Sequence, residues 1–162
     1  LPAASWQRRC QRWLSNARID VETLFGSLIH WALHHWHASG QALHLALDTT
    51  MLRNRTCVVV VCIVAHSRAI PLVWRTLKLP SASISAELSI AMLQQVDRIL
   101  AGYGQIILLA DRGFPSAELL SWFNDQPRWS YGMRLCSDTW IQGIAAPLGC
   151  KVRRLRLPRR HF

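Results

Sequence analysis

A chain of 162 residues, 51% hydrophobic and 17% charged, is about one ordinary domain, long enough to bury a core and too apolar to be disordered. Its net charge of +10 sits at the ends: residues 1–18 carry Arg8, Arg9, Arg12 and Arg18, residues 151–162 carry Lys151, Arg153, Arg154, Arg156, Arg159 and Arg160, and neither stretch holds an acid. The longest apolar run, residues 57–65, is far below the roughly 20 residues that cross a bilayer, and no signal peptide opens the chain, so no membrane partner is expected.

A neutral core flanked by basic ends is how a protein that grips a polyanion places its charge, although a basic tail without a partner has the same composition. Of the 19 basic residues all but Lys78 and Lys151 are Arg, whose planar fork suits bidentate phosphate contacts; a GC-rich genome gives the same bias. Cys10, Cys57, Cys62, Cys136 and Cys150 are odd in number and lack CxxC spacing, which points to a reducing compartment, with Cys57 and Cys62 as small core residues. Opening on Leu1 without Met and closing on Phe162 after a run of Arg, the chain reads as a piece of a longer protein, truncated at both ends.

In chain order, Val21, Leu24, Phe25, Leu28, Ala32 and Trp36 recur at helical spacing and predict an amphipathic helix over about residues 20–38, with Asp20 as its cap and Gly40 as its stop. His30, His34 and His37 share the opposite face; three histidines there suit zinc, but no Cys, Asp or Glu joins them, and a solvated face is the favoured reading. Three strand-like runs follow, at about 43–52, 57–65 and 69–76, with turns at Asn54 and Ser67. They form an antiparallel meander, and Pro71 makes the third run an edge. Alternation along the first places Asp48 on the face opposite Leu43, Leu45 and Leu47.

A small polar stretch, residues 81–85, leads into a helix that carries Leu88, Met92, Val96 and Ile99 on one face and ends at Gly102. Residues 105–110 lack alternation and read as a strand covered on both sides. A tight Arg112-Gly-Phe114 connection places Pro115 in the first turn of a helix running to about Asn124, and residues 129–135 form another strand. Trp31, Trp36, Trp74 and Trp122 fall at core positions, whereas Trp6 and Trp13 lie among Arg8, Arg9 and Arg12, where DNA stacking or a partner helix are both accommodated. The fold class is therefore α/β: a mixed sheet of three antiparallel strands followed by parallel strands reached through helix crossovers, with helices on both faces. The segments are a helical 1–40, a core 41–136 and a basic 137–162, in which Val152, Leu155 and Leu157 are strand candidates.

Two of these strands deliver carboxylates. In this strand order the fourth strand lies parallel beside the first, which makes Asp48 and Asp111 neighbours. Each alone commonly caps a local turn. Together they repel unless a compensating charge is present, and Mg2+ or Mn2+ supplies it, as a hard cation that accepts carboxylate oxygen and retains waters. Such ions serve phosphodiester chemistry, which suits a basic protein.

At these residues the chain resembles a family. Leu-Asp48-Thr-Thr50, the Val-rich second strand, Ala-Ile-Pro-Leu-Val-Trp74 and above all Leu-Leu-Ala-Asp111-Arg-Gly-Phe114 look like the catalytic domain of bacterial insertion-sequence DDE transposases. The likeness spans about residues 43–135 and is greatest to the branch in which a ribonuclease-H-like fold is interrupted by a β-rich insertion. It implies that Asp48 and Asp111 are two of three catalytic, metal-binding acids, and that Arg134 is the base after the fifth strand. It also implies double-stranded DNA as partner, both transposon terminal inverted repeats and target, a homodimer for the full-length protein, and a bacterial cytoplasmic, nucleoid-associated setting. Residues 1–40 would then end a DNA-binding region and 137–162 begin the insertion. Candidate DNA-binding residues are Arg8, Arg9, Arg12, Arg112, Arg134, Lys151, Arg153, Arg154 and Arg156.

The family's third acid, a Glu within a motif of Tyr, Arg and Lys, has no counterpart here. Only Glu118, Asp125 and Asp138 follow Asp111, and none is a good substitute. The expectation is a catalytic-core fragment of a transposase, inactive as it stands. The alternatives are a nuclease or resolvase of the same fold and a remnant that binds DNA without cleaving it.

Overall fold

A computed structural model describes residues 3–18, 20–36, 40–143 and 146–155. The chain divides into two compact units, Leu1–His37 and Ala38–Phe162.

The first unit holds helices α1 (Ala3–Leu14) and α2 (Val21–Trp36). Asp20 caps α2, accepting from Thr23 N at 3.4 Å and from the Thr23 hydroxyl at 2.5 Å, and so satisfies donors that a first turn leaves open. The buried stripe of α2 is Ile29, Ala32 and Leu33, while Leu24, Leu28 and Trp31 are exposed. The predicted face is therefore rotated: two apolar stripes run side by side on this helix, and periodicity does not say which one is covered. His30, His34 and His35 are exposed; His37 and the stretch before Gly40 lie outside the described residues.

The second unit is built on a five-stranded mixed sheet: β1 (Leu43–Leu52), β2 (Thr56–Ala65), β3 (Arg68–Leu77), β4 (Ile106–Ala110) and β5 (Trp129–Met133), in the spatial order β3-β2-β1-β4-β5. The first three are antiparallel, and β4 lies parallel to both β1 and β5. The β2–β3 hairpin turns on His66 and Ser67, both at positive φ, as the twist of a two-residue turn requires. Pro71 stands on the edge strand opposite a register shift between Val61 and Cys62, where a missing N–H costs least.

One face of the sheet is buried: Leu43, Leu45 and Leu47, then Cys57, Val59, Val61 and Ile63, then Ile106, Leu108 and Ala110, with Trp129 at 6% exposure. Helices α3 (Ala86–Ile99) and α4 (Ala117–Asn124) cover it and contact each other. Among the described residues of this unit, both helices thus lie on one face rather than on two. As a result β4 alternates, with Leu109 43% exposed, and is not covered on both sides as its unbroken apolar run suggests.

Helix α3 starts at a Ser85 cap and buries Met92, Leu93, Val96 and Leu100, a face centred slightly off the Leu88 to Ile99 stripe. Its end is clamped. Arg128 donates to the Asp97 carboxylate from Nε and Nη2 at 3.0 and 2.7 Å and to the carbonyls of Asp97, Leu100 and Tyr103, while Trp129 Nε1 donates to the same carboxylate at 2.7 Å. Orphan carbonyls of the last helical turn are thereby satisfied and the entry to β5 is fixed. Among the described residues Trp129 is the buried tryptophan, whereas Trp31 and Trp74 are 58% and 38% exposed and Trp122 is half-buried; the side chain of Trp36 is outside the described residues. A Trp at an apolar period is buried only where a second layer covers it.

Past β5, β6 (Trp140–Gly143) and β7 (Ala146–Lys151) form a separate two-stranded sheet, followed by a 3-10 turn at Val152–Arg154. Val152 opens that turn, its carbonyl accepting from Leu155 N at 3.0 Å, while Val152 N and Arg153 N still donate across to Thr139 O and Ser137 O. Leu155 follows the turn, and Leu157 lies outside the described residues. Gly149 has φ +76 and lies against the Trp140 ring, 2.5 Å from where a Cβ would stand, so no larger residue is accommodated there.

Candidate metal and phosphate site

The carboxylates are positioned by unequal strand lengths. β1 pairs with β4 only as far as Leu47↔Ala110, then runs on beside β2 alone to Leu52. Asp48 is thus the sixth residue of a ten-residue strand and not its end, and its β4 side opens to solvent where the neighbouring strand stops. Asp111 follows Ala110 directly. Alternation sends both side chains away from the buried face, to the same side of the sheet in adjacent rows. Parallel neighbours of this kind are roughly 4.8 Å apart in the backbone. Both aspartates are exposed.

Local bonds fix the backbone beneath them. Asp48 Oδ1 accepts from Thr49 N at 2.8 Å. After Asp111 the chain turns within three residues, Phe114 N donating to Asp111 O at 3.2 Å, and buried Phe114 anchors the turn in the core. Ser116 then caps α4 through Leu119 N at 3.2 Å, so Pro115 precedes the cap instead of occupying the first turn. Glu118 completes the start of α4. Its carboxyl is held below the usual range by a backbone hydrogen bond and by Ser116, and it serves the helix, not the metal candidates. Asp125 is the C-cap of α4, and Asp138 is exposed ahead of β6.

Two charged groups join the pair. Arg134 continues β5 by one residue, its N donating to Ala110 O at 3.1 Å, and its guanidinium Nη1 lies 3.5 Å from Asp111 Oδ1. Arg112 is exposed beside Asp111. Cys62, on the same side as Asp48 and in the row of Ala46, is a residue that sequence reading places only in the core; the strand register is the signal that finds it. Burial pushes its thiol up and the Asp48 charge adds to this, so it remains a neutral thiol.

The donor set at this point is therefore carboxylate oxygen, open to water, which suits Mg2+ or Mn2+ and leaves coordination positions for solvent and phosphate. Among the described residues no third His, Cys, Asp or Glu joins them. The remaining basic candidates lie on other elements. Arg8, Arg9 and Arg12 are exposed on α1 of the first unit, with Arg9 5.9 Å from the Trp6 ring centre. Exposed Arg153 and Arg154 follow half-buried Lys151 at the end of the small hairpin, whose turn is bonded to Ser137 and Thr139. Arg156 lies outside the described residues. No described helix is long and apolar enough to cross a membrane.

Architecturally this is a mixed α/β protein organised on a five-stranded mixed sheet. No protein-family model and no curated protein matches the chain.

Proposed function

We propose that the chain is the catalytic-core portion of a DDE transposase, with a ribonuclease-H-like sheet that holds a divalent cation on Asp48 and Asp111 against a DNA phosphodiester. The observation that supports this reading is that Asp48 and Asp111 each directly follow the last paired residues, Leu47 and Ala110, of parallel β1 and β4. The strand order β3-β2-β1-β4-β5 and the Asp-Arg-Gly-Phe turn support it. Asp48 and Asp111 would hold the cation, which when bound would supply Lewis-acid polarisation of a phosphodiester. Arg112 and Arg134 meet the phosphate at that point, and Lys151, Arg153 and Arg154 follow the DNA backbone. Strand cleavage and transfer need a further acid, so this stretch binds metal and DNA but does not turn over.

Mn2+ titration followed by calorimetry tests the pairing. Asp48→Ala and Asp111→Ala should each weaken binding at least tenfold, and equal affinity in all three proteins would sink it. A second reading, DNA binding without cleavage, is favoured by the absence of a third ligand among the described residues. It predicts duplex binding with the same affinity in Mg2+ and in EDTA at matched ionic strength.

A further inference from the structure

Two arginines bracket β5, and they are held in opposite ways. Arg128, just before the strand, is locked by hydrogen bonds to one carboxylate and three carbonyls. Arg134, just after it, is anchored only through its backbone, and its side chain is 80% exposed. Its single charged partner among the described residues is Asp111, itself 55% exposed, at 3.5 Å. That distance lies outside the roughly 2.7–2.9 Å of a charge-assisted hydrogen bond, so the contact is a loose electrostatic one.

Resting on the metal reading above, we propose that Arg134 is a displaceable counter-ion: it neutralises Asp111 in the metal-free chain, yields to a divalent cation, and is thereby released to the phosphodiester arriving at the same point. The two adjacent carboxylates repel, and a monovalent guanidinium offsets part of that repulsion until a doubly charged ion takes over. The backbone bond to Ala110 O keeps the freed arginine beside the site. Its planar fork then suits bidentate contact with a phosphate. Arg134 thus acts as a positioning residue whose availability to DNA depends on metal.

Calorimetric Mn2+ titration of the whole chain is the test, with Arg134→Gln, Arg134→Lys and, as a charge-matched neighbour, Arg112→Gln. Removing an exposed ion pair should raise Mn2+ affinity about two- to fivefold in Arg134→Gln. Arg134→Lys should return it toward wild type, and Arg112→Gln should give a smaller rise. Arg134→Gln should also weaken binding to duplex DNA more in Ca2+ than in EDTA. An unchanged or lowered Mn2+ affinity in Arg134→Gln overturns the proposal, as does an equal rise in Arg112→Gln. Should Asp48→Ala and Asp111→Ala lose Mn2+ while Arg134→Gln leaves it unmoved, the metal reading survives and this one fails. Should the wild-type chain bind no Mn2+, both fail together.

Discussion

Cys62 lies under the same side of the sheet as Asp48, and its environment makes a direct statement about reactivity. Desolvation and a nearby negative charge both disfavour the thiolate, the form that attacks disulfides. Cys10 and Cys136 are exposed, Cys150 is half-buried and Cys57 is buried like Cys62. Treatment of the native protein with an aromatic disulfide reagent at pH 8 should therefore label Cys10 and Cys136 first, with Cys62 reacting only on unfolding; mass spectrometry of the labelled peptides reads the order. Rapid labelling of Cys62 would mean that this side of β2 opens far more than its 8% exposure indicates.

Helices α3 and α4 depend on polar groups at their ends as much as on their apolar faces. Arg128 is the larger case: its removal leaves the Asp97 carboxylate without its charged partner and takes a donor from the carbonyls of Asp97, Leu100 and Tyr103. Arg128→Ala should cost about 2–3 kcal/mol of stability, measured as a lowered urea midpoint, because hydrogen bonds to charged groups contribute more than neutral ones. At α4, Ser116→Ala should cost about 1 kcal/mol through loss of the cap. The same turn carries a pH dependence. Because the Glu118 carboxyl is lowered in the folded chain, its stabilising contact is present above the ordinary carboxylate value and is lost as pH falls through the folded one. Amide-exchange protection of the first turn of α4 should fall across that acid window, and Ser116→Ala should reduce the change without abolishing it, because the larger backbone contribution remains.

The charge excess of the chain lies in residues 1–18 and 151–162, so the proposed DNA contact is mainly electrostatic. Counter-ion release makes this measurable. For duplex DNA, log affinity should fall linearly with log salt, and replacing Arg8, Arg9 and Arg12 by Gln should flatten the slope by about 0.9 for each phosphate that is no longer neutralised. Fluorescence anisotropy across a salt series gives the slope, and an unchanged slope would remove α1 from the DNA interface. Arg112 and Arg134, beside the carboxylates, should contribute less to the slope and more to the difference between metal-bound and metal-free affinity.

Local signals in the sequence marked the elements from α2 to β5: Asp20 stands before a helix, Asn54 and Ser67 mark turns, and alternation along residues 43–48 aims Asp48 away from the leucines, whereas Pro115 pointed to a first turn that Ser116 caps instead and nothing local announced the β6–β7 hairpin. The strand order made β4 a neighbour of β1, and thereby paired two aspartates 63 residues apart, because a crossover connection returns the chain parallel to where it began. Periodicity could not say which apolar stripe of α2 is covered, that Leu109 is open, or that Trp129 and not Trp31 is the buried tryptophan. Those outcomes depend on which second layer lands on a given face, and a residue's apolar character is the same whether or not it is covered. The same holds for charge. Asp97 and Asp111 are each one carboxylate in the sequence, and only the packing around β5 makes one a closed clamp and leaves the other facing a loosely held arginine.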